Sequence, residues 1–494
     1  MTESKFGAAA ADMSKMTTTI PGAALDASGV EGAASDALAA SVIAAADAPR
    51  LSVKRLAMRG TMWTVGGHAV HRVLRLAAHL VTARLLFPEA YGIMAIVFVF
   101  VQGVELLSDL GIGPSVIQNE RGDDRAFLNT AWTLQILRGL AVWMCLLLIA
   151  WPVASVYQQP ELFWLIPVVG LIAIISGFES TAQFTLNRHL ALGRLTIMEV
   201  GAQAVAAVVM IAWAALSPTV WALVAGALAG KSSRTIWSHL LLPGYRNRPH
   251  WDPHALAAIV RFGKWILLAS TIGFLGSQVD RLALPLFLPM DVFGVYAVAV
   301  MLITLPDQIV TMVGYKVAFP AISKRVHLER AVLRATLLRM RWPVLLAFGC
   351  AASLIAAYGD VAVRILYDAR YHEAGWMLSL LALGLWGRFL SNTISPALLA
   401  IGRPNYFALA GAGRLLMVGI GMPVGHALGG VPATVGVIAA GTFIEYAIEA
   451  YGCRRNGLST LAQDLKASVI WAAMLAVLLL TRSAMGLGLP WDSA

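Results

Sequence analysis

An all-α integral membrane fold of about 12–14 transmembrane helices, arranged as two six-helix lobes with an extra C-terminal helix, is predicted by three observations. Hydrophobic residues make up 59% of the 494-residue chain and charged residues only 13%, where soluble domains run near 45–50% and about 25%. The mean hydropathy is +0.73. Apolar stretches long enough to cross a bilayer follow one another with basic residues on alternate connections. A soluble fold this apolar would expose patches it could not hide. Soluble cytosolic enzymes, secreted disulfide scaffolds and most nucleic-acid binders are therefore excluded.

The elements run in order as follows. Residues 1–50 are rich in Ala, Ser, Asp and Gly, with no apolar core after Lys5, and predict a disordered cytoplasmic tail rather than a secretory signal. Lys54, Arg55 and Arg59 then precede the first apolar stretch. Spans are expected near 61–86, 91–111, 130–156, 160–185, 196–217, 219–242, 264–288, 292–315, 341–358, 375–400, 405–425, 431–452 and 467–488. An N-lobe over 51–245, an inter-lobe linker over 246–260, a C-lobe over 261–455 and an extra helix within 456–494 follow. The connection at about 316–340 reads as a basic amphipathic helix suited to an anionic membrane surface, which makes membrane lipids an expected partner.

The formal charge is +10, from 37 basic and 27 acidic side chains. With the N-terminus inside, nineteen Lys and Arg fall on cytoplasmic connections against three outside, Arg84, Arg364 and Arg370. That bias predicts a multi-pass protein of a bacterial inner membrane with a cytoplasmic N-terminus. A second source of the charge, compatible with the first, is a cationic pocket for an anionic substrate.

The two halves repeat one plan. Arg59–Trp63 matches Arg261–Trp265, and Phe87-Pro88 before Tyr91-Gly92 matches Leu288-Pro289 before Phe293-Gly294. Pro114 parallels Pro320, and Leu192-Gly193-Arg194 parallels Ile401-Gly402-Arg403. Matches in the same order argue for duplication. Six spans per copy make the repeats parallel, and transporters of that design bind substrate between the lobes and alternate access.

An ionisable side chain inside a span costs about 2.5–3.5 kcal/mol, so each needs a reason. The first span holds His68, His71, Arg72, Arg75 and His79. At 100° per residue they share a sector of about 100° and run about 16 Å along the helix. Such a stripe suits a cavity that meets an anion, with Arg388 and Arg414 as mid-span candidates in the second lobe. Pairing with the acidic face of the second span (Gln102, Glu105, Asp109) is the other reading. Glu105, Asp109, Asp280 and Asp307 are candidates for ion coupling or gating. Asp280-Arg281 is expected in a lobe-stabilising pair, and Glu445 and Glu449 are expected to face Arg454 and Arg455.

No Walker A, GxSxG, HExxH or external DxD motif is present, and the connections are too short for a soluble catalytic domain. Cys145, Cys350 and Cys453 lie far apart without metal-ligand spacing, so neither a disulfide framework, a metal nor another cofactor is expected.

Several segments resemble the polysaccharide transporter family of the multidrug/oligosaccharidyl-lipid/polysaccharide (MOP) exporter superfamily, the Wzx-type flippases. They are Ala83–Gly92 (ARLLFPEAYG), Leu107–Gln118 (LSDLGIGPSVIQ), Phe184–Arg194 (FTLNRHLALGR), Gln278–Leu282 (QVDRL) and Lys316–Arg325 (KVAFPAISKR). The resemblance implies a flippase, not an enzyme, that moves an undecaprenyl-diphosphate-linked oligosaccharide outward for exopolysaccharide or O-antigen synthesis. A polysaccharide polymerase or export machinery is an implied partner, and nucleic acid is not. A multidrug exporter of the same superfamily would present acidic and aromatic groups on the first span. A membrane polysaccharide polymerase or ligase would need a large external loop, whereas the longest here covers about 359–374.

Overall fold

The computed structural model describes residues 53–492 except 110, 120, 190, 243–245, 255 and 257–273. The expected tail and most of the seventh span's first half lie outside the described residues. The described residues from Gly60 onward form one compact unit. The described residues contain helices and turns and no strand.

Most helices fall where the apolar stretches predict them, but the expected amphipathic helix at 316–340 is not one element: Phe319–Ser323 closes the preceding helix, turns follow, and a long apolar span begins at Arg330. We label them α1 (Val53–Leu85), α2 (Pro88–Leu107), α3 (Arg125–Val156), α4 (Leu162–Gly177), α5 (Leu192–Leu216) and α6 (Trp221–Leu240). The second half holds α7 (274–283), α8 (Met290–Val313), α9 (Arg330–Leu366) and α10 (Ala374–Ala400). Asn405–Arg455 breaks at Gly429 and Gly430 into α11 and α12, and α13 is Leu461–Ala484. Gly430 has φ 63° and ψ −146°, a conformation essentially confined to glycine. That glycine pair lets one continuous apolar sequence turn back as two spans.

Eight helices among the described residues are long and apolar enough to cross a membrane. Counting the bent pair Leu162–Gly177 and Ala182–Arg188, angled at 62°, makes nine. The α1 helix, with its basic stripe, and α6, with Lys231 and Arg234, match expected spans in position but are more polar. Large apolar side chains such as Leu148, Leu216 and Leu428 are exposed at 75%, 89% and 83%. In an all-helical chain this is the surface a bilayer covers.

Local chemistry sets the helix starts. Pro88 occupies the first turn of α2, where its missing N–H is no loss. Asp124 caps α3 by accepting from the Ala126 N–H at 3.0 Å. The segment 246–252 lies along α3, its alternate backbone N–H groups donating to side chains. Arg248 donates to Asn129, His250 to Thr133 and Asp252 to Thr130, at 3.0–3.1 Å. This part of the expected linker is strapped to the first half.

The repeated segments meet one another. At Gly92 an added Cβ would lie 2.6 Å from the Met290 carbonyl, and at Gly294 it would collide with the Pro88 carbonyl. The duplicated aromatic-Gly pairs thus let α2 and α8 cross backbone to backbone. Around this crossing one apolar cluster joins Ile93 and Val97 of the first half to Phe293, Tyr296 and Tyr371 of the second. Tyr371 Oη donates to the Leu86 carbonyl at 3.0 Å, Arg370 to the Arg84 carbonyl at 3.0 Å, and Tyr157 Oη to the Leu282 carbonyl at 2.7 Å. The Arg370 guanidinium also lies 5.0 Å from the Phe87 ring centre. At this end the halves are sealed together.

The α13 helix is genuine and peripheral. Only 11% of its most apolar window is buried, against 83% for the window that ends in α10. It is held at both ends by buried ion pairs. Arg482 makes a two-pronged contact with Asp360 at 2.6 and 2.7 Å, and Arg341 meets Asp464 at 2.8 Å. Between them Trp471 stacks on Trp386 with ring centres 5.3 Å apart.

Candidate functional site

The basic stripe of α1 faces the second half of the chain. Arg72 donates to Gln308 Oε1 on α8. The charged neighbours of Arg75 are Arg72 and, from α7, Arg281. His71 lies among His68, Arg72, Arg75 and Glu199 of α5, and the His79 ring is 5.5 Å from the Tyr91 ring. Neither Arg72 nor Arg75 forms an ion pair with any described residue. Two guanidiniums without ion pairs therefore share an electrostatic environment with a third, Arg281, from the second half of the chain.

That third cation was assigned differently by the sequence. Arg281 is not paired with Asp280: its Nη1 donates to Gln278 on the same helix at 3.0 Å. Asp280 is 5% exposed and accepts from Tyr296 Oη at 2.5 Å, while its second oxygen has no hydrogen bond. Arg414 is 8% exposed, has no ion pair among the described residues, and leaves its Nε without an acceptor. Together with Asp280, Arg281 and Arg414 are the charged groups around Tyr296.

The other second-half candidates belong to a different network. Arg388 is clamped by Glu445 at 2.9 Å and Asp307 at 3.4 Å. Asn392 donates to Asp307 at 2.8 Å, and Glu449, fully buried, accepts from Ser391 and Ser395 at 2.7 and 2.6 Å. Glu445 and Glu449 thus face inward to α10 rather than toward Arg454 and Arg455. The Arg388 charge is already matched, which separates it from Arg72, Arg75, Arg281 and Arg414.

The acidic face of α2 does not pair with α1. Asp109 lies 3.8 Å from Arg138 of α3 and accepts from the Gly111 N–H at 3.0 Å. Arg138 donates in addition to Ser108 Oγ and to the Glu105 carbonyl. Glu105 lines an open hollow of about 360 Å³ with Gln102, Leu106, Asp109, Arg138 and Phe274. The sequence reading missed Arg138 as the partner, because helical periodicity shows which residues share a face but not which helix stands opposite. It also missed Glu179, a buried carboxylate held by Lys231 at 2.8 Å and Arg234 at 3.1 Å.

Outside the spans, Arg121 bridges Asp124 at 2.8 Å and Asp252 at 3.1 Å. The Arg121 hydrogen bond holds the Asp124 carboxyl below its ordinary value. No group of His, Cys, Asp and Glu among the described residues has the geometry of a metal site.

Residues 81–375 match the family described as polysaccharide biosynthesis protein. Among individual relatives, the chain is 23% identical to the teichuronic acid biosynthesis protein TuaB of Bacillus subtilis, over 75% of this chain and 77% of that one. It is 21% identical to the succinoglycan biosynthesis transport protein ExoT of Rhizobium meliloti, over 70% and 69%. It is 23% identical to the lipopolysaccharide biosynthesis protein WzxC of Escherichia coli, over 56% of each. Among solved structures, the lipid II flippase MurJ in an inward closed conformation superposes with a TM-score of 0.67 at 12% identity, covering 85% of this chain and 93% of that one. An inward-facing multidrug resistance transporter of the MOP superfamily gives 0.59 at 13% identity, covering 82% and 95%. These likenesses show a shared all-helical transporter fold.

Proposed function

The chain belongs to the polysaccharide biosynthesis protein family, and from that premise we propose that it is a flippase for an undecaprenyl-diphosphate-linked oligosaccharide. It acts by alternating access rather than by catalysis. The observation that carries the reading is the cluster of unpaired cations, Arg72 and Arg75 from α1 beside Arg281 from α7. A diphosphate brings about two negative charges and takes hydrogen bonds in pairs, which the planar guanidinium supplies better than an ammonium. His68, His71, His79 and Arg414 extend the positive lining, while Arg388 serves the second half's own stability. Glu105, Asp109, Asp280 and Asp307 are left for coupling or gating. The lipid tail stays in the bilayer as the head crosses between the halves.

Further support comes from the relatives: a succinoglycan transport protein and a lipopolysaccharide biosynthesis protein are similar in sequence at 21% and 23% identity, and a lipid II flippase shares the fold. In this reading the sealed end faces outward, the membrane is the bacterial inner membrane, and the N-terminus is cytoplasmic. A cysteine at position 247 should resist an impermeant thiol reagent applied to intact cells, and one at 368 should react.

The deciding experiment is lipid-linked oligosaccharide translocation in proteoliposomes. Arg72→Ala or Arg75→Ala should abolish it, and Arg→Lys should restore only part. If Arg75→Ala combined with Glu105→Gln transported normally, the stripe would be an ion-pair scaffold and the substrate role would be wrong.

A further inference from the structure

Resting on that reading of the cation cluster, we propose that the hollow between α2, α3 and α7 is a sugar subsite that receives the first one or two sugars beyond the diphosphate and favours uncharged ones.

The hollow lies between Gln102 and Glu105 on α2, Asp109 just beyond its end, Arg138 on α3 and Phe274 on α7. Its volume, about 360 Å³, lies in the range of small-ligand sites. A second recess of about 50 Å³ shares Glu105 and Arg138 with it and continues to Gln135 and Ser176. Two hydrogen-bonding groups there are unused. Gln135 Oε1 is buried without a donor, and no donor or cation lies within bonding distance of the Glu105 carboxylate among the described residues. A buried acceptor left empty costs stability, so Gln135 Oε1 calls for a ligand or water, and the part-exposed Glu105 carboxylate beside it is open to the same partner. Arg138 is pre-set by Ser108 Oγ at 3.1 Å and the Glu105 carbonyl at 2.5 Å.

Carboxylate, amide and guanidinium groups around one aromatic ring form the chemistry that recognises a pyranose. The planar groups take adjacent hydroxyls in pairs, and the ring covers the sugar's apolar face. The Phe274 ring packs against α2 at Gly103, where an added Cβ would lie 3.0 Å from its Cε1. Phe274 and Arg281 stand seven residues apart on α7, about 10 Å along the helix. A diphosphate held at Arg281 would therefore place its first sugars beside Phe274. The lining itself carries two carboxylates and one guanidinium, with Lys231 of α6 acting on Glu105 from outside it, so a uronate would bring a third carboxylate to the same lining and be disfavoured.

The test uses the full-length protein in nanodiscs and three probes: bare polyprenyl diphosphate, the same lipid carrying glucose, and the same lipid carrying glucuronic acid. Gln135→Leu and Phe274→Ala should each weaken binding of the glucose-bearing lipid about tenfold, the effect of losing roughly 1.4 kcal/mol. Both should leave the bare diphosphate unaffected. Glu105→Gln should narrow the preference for glucose over glucuronate. Equal losses for bare and glycosylated lipids would overturn the subsite, because the hollow would then only shape the helices. Unchanged sugar preference with lost dependence on sodium or protons would overturn it in favour of an ion site. Binding of the bare lipid to Arg75→Ala tests the cation cluster separately, so failure of the cluster and failure of the subsite give different patterns.

Discussion

At the residue scale, what distinguishes the arginines is whether a carboxylate already answers them. Arg388 sits between Glu445 and Asp307, whereas Arg414 has no ion-pair partner among the described residues. Removing one member of a buried ion network strands the others at a cost of about 3–5 kcal/mol. Arg388→Ala should therefore lower the thermal unfolding midpoint markedly. Arg414→Ala should leave that midpoint near the parent value while reducing translocation, and the two readouts measured side by side separate the roles. A third arginine makes a pH statement. Asp124 has its pKa lowered by Arg121 from an ordinary value of 3.8, so its contribution is fully present above that value and is lost only as pH falls through the lowered one. The strap of 246–252 against α3 should thus keep constant amide-exchange protection from pH 8 to 5. Weakening within that window would mean that another group holds it.

At the element scale, α13 shows how a peripheral helix is fixed without much burial. Its ends are held by Arg482–Asp360 and Arg341–Asp464, and its middle by the Trp386–Trp471 stack. Arg482→Ala alone leaves the buried Asp360 with only the exposed Arg364 at 3.9 Å and should destabilise by up to about 3–5 kcal/mol, whereas Arg482→Met with Asp360→Leu should recover most of that loss. Denaturant or thermal unfolding in detergent of the single and double variants decides it. Recovery no better than the single variant would show that the carbonyl contacts of Arg482 to Ala357 and Gly488 matter more than its charge partner.

At the scale of the whole molecule, the contacts between the halves are concentrated where the duplicated segments cross. Gly92 over Gly294, Tyr371 on Leu86 and Arg370 on Arg84 make that end a single closed surface. A transporter that alternates access must break these contacts once per cycle. In a chain cleared of Cys145, Cys350 and Cys453, a short thiol-reactive bridge between Phe87→Cys and Arg370→Cys should stop translocation, and cleaving the bridge should restore it. Undiminished transport in the bridged protein would show that this end never opens.

The sequence by itself determined the membrane class and the positions of most helices, and it pointed to an internal duplication. Burying backbone polar groups in lipid admits so few structures that apolar length nearly specifies each span. It also determined that His68, His71, Arg72, Arg75 and His79 share one face, because 3.6 residues per turn fix that locally. The genuineness of α13 was open in sequence, since Arg482 and Asp464 weaken its apolar signal and their partners, Asp360 and Arg341, lie more than a hundred residues away. The same limit explains the misassigned pairs. Asp109 finds Arg138, Glu445 finds Arg388, and Arg281 stands apart from Asp280. Which charge meets which is settled by helix packing across the bundle, where Coulomb energies depend on separations of a few ångströms that no one-dimensional spacing encodes. Only the tertiary structure could therefore divide the arginines within the helices into those answered by a carboxylate and those left without an ion pair.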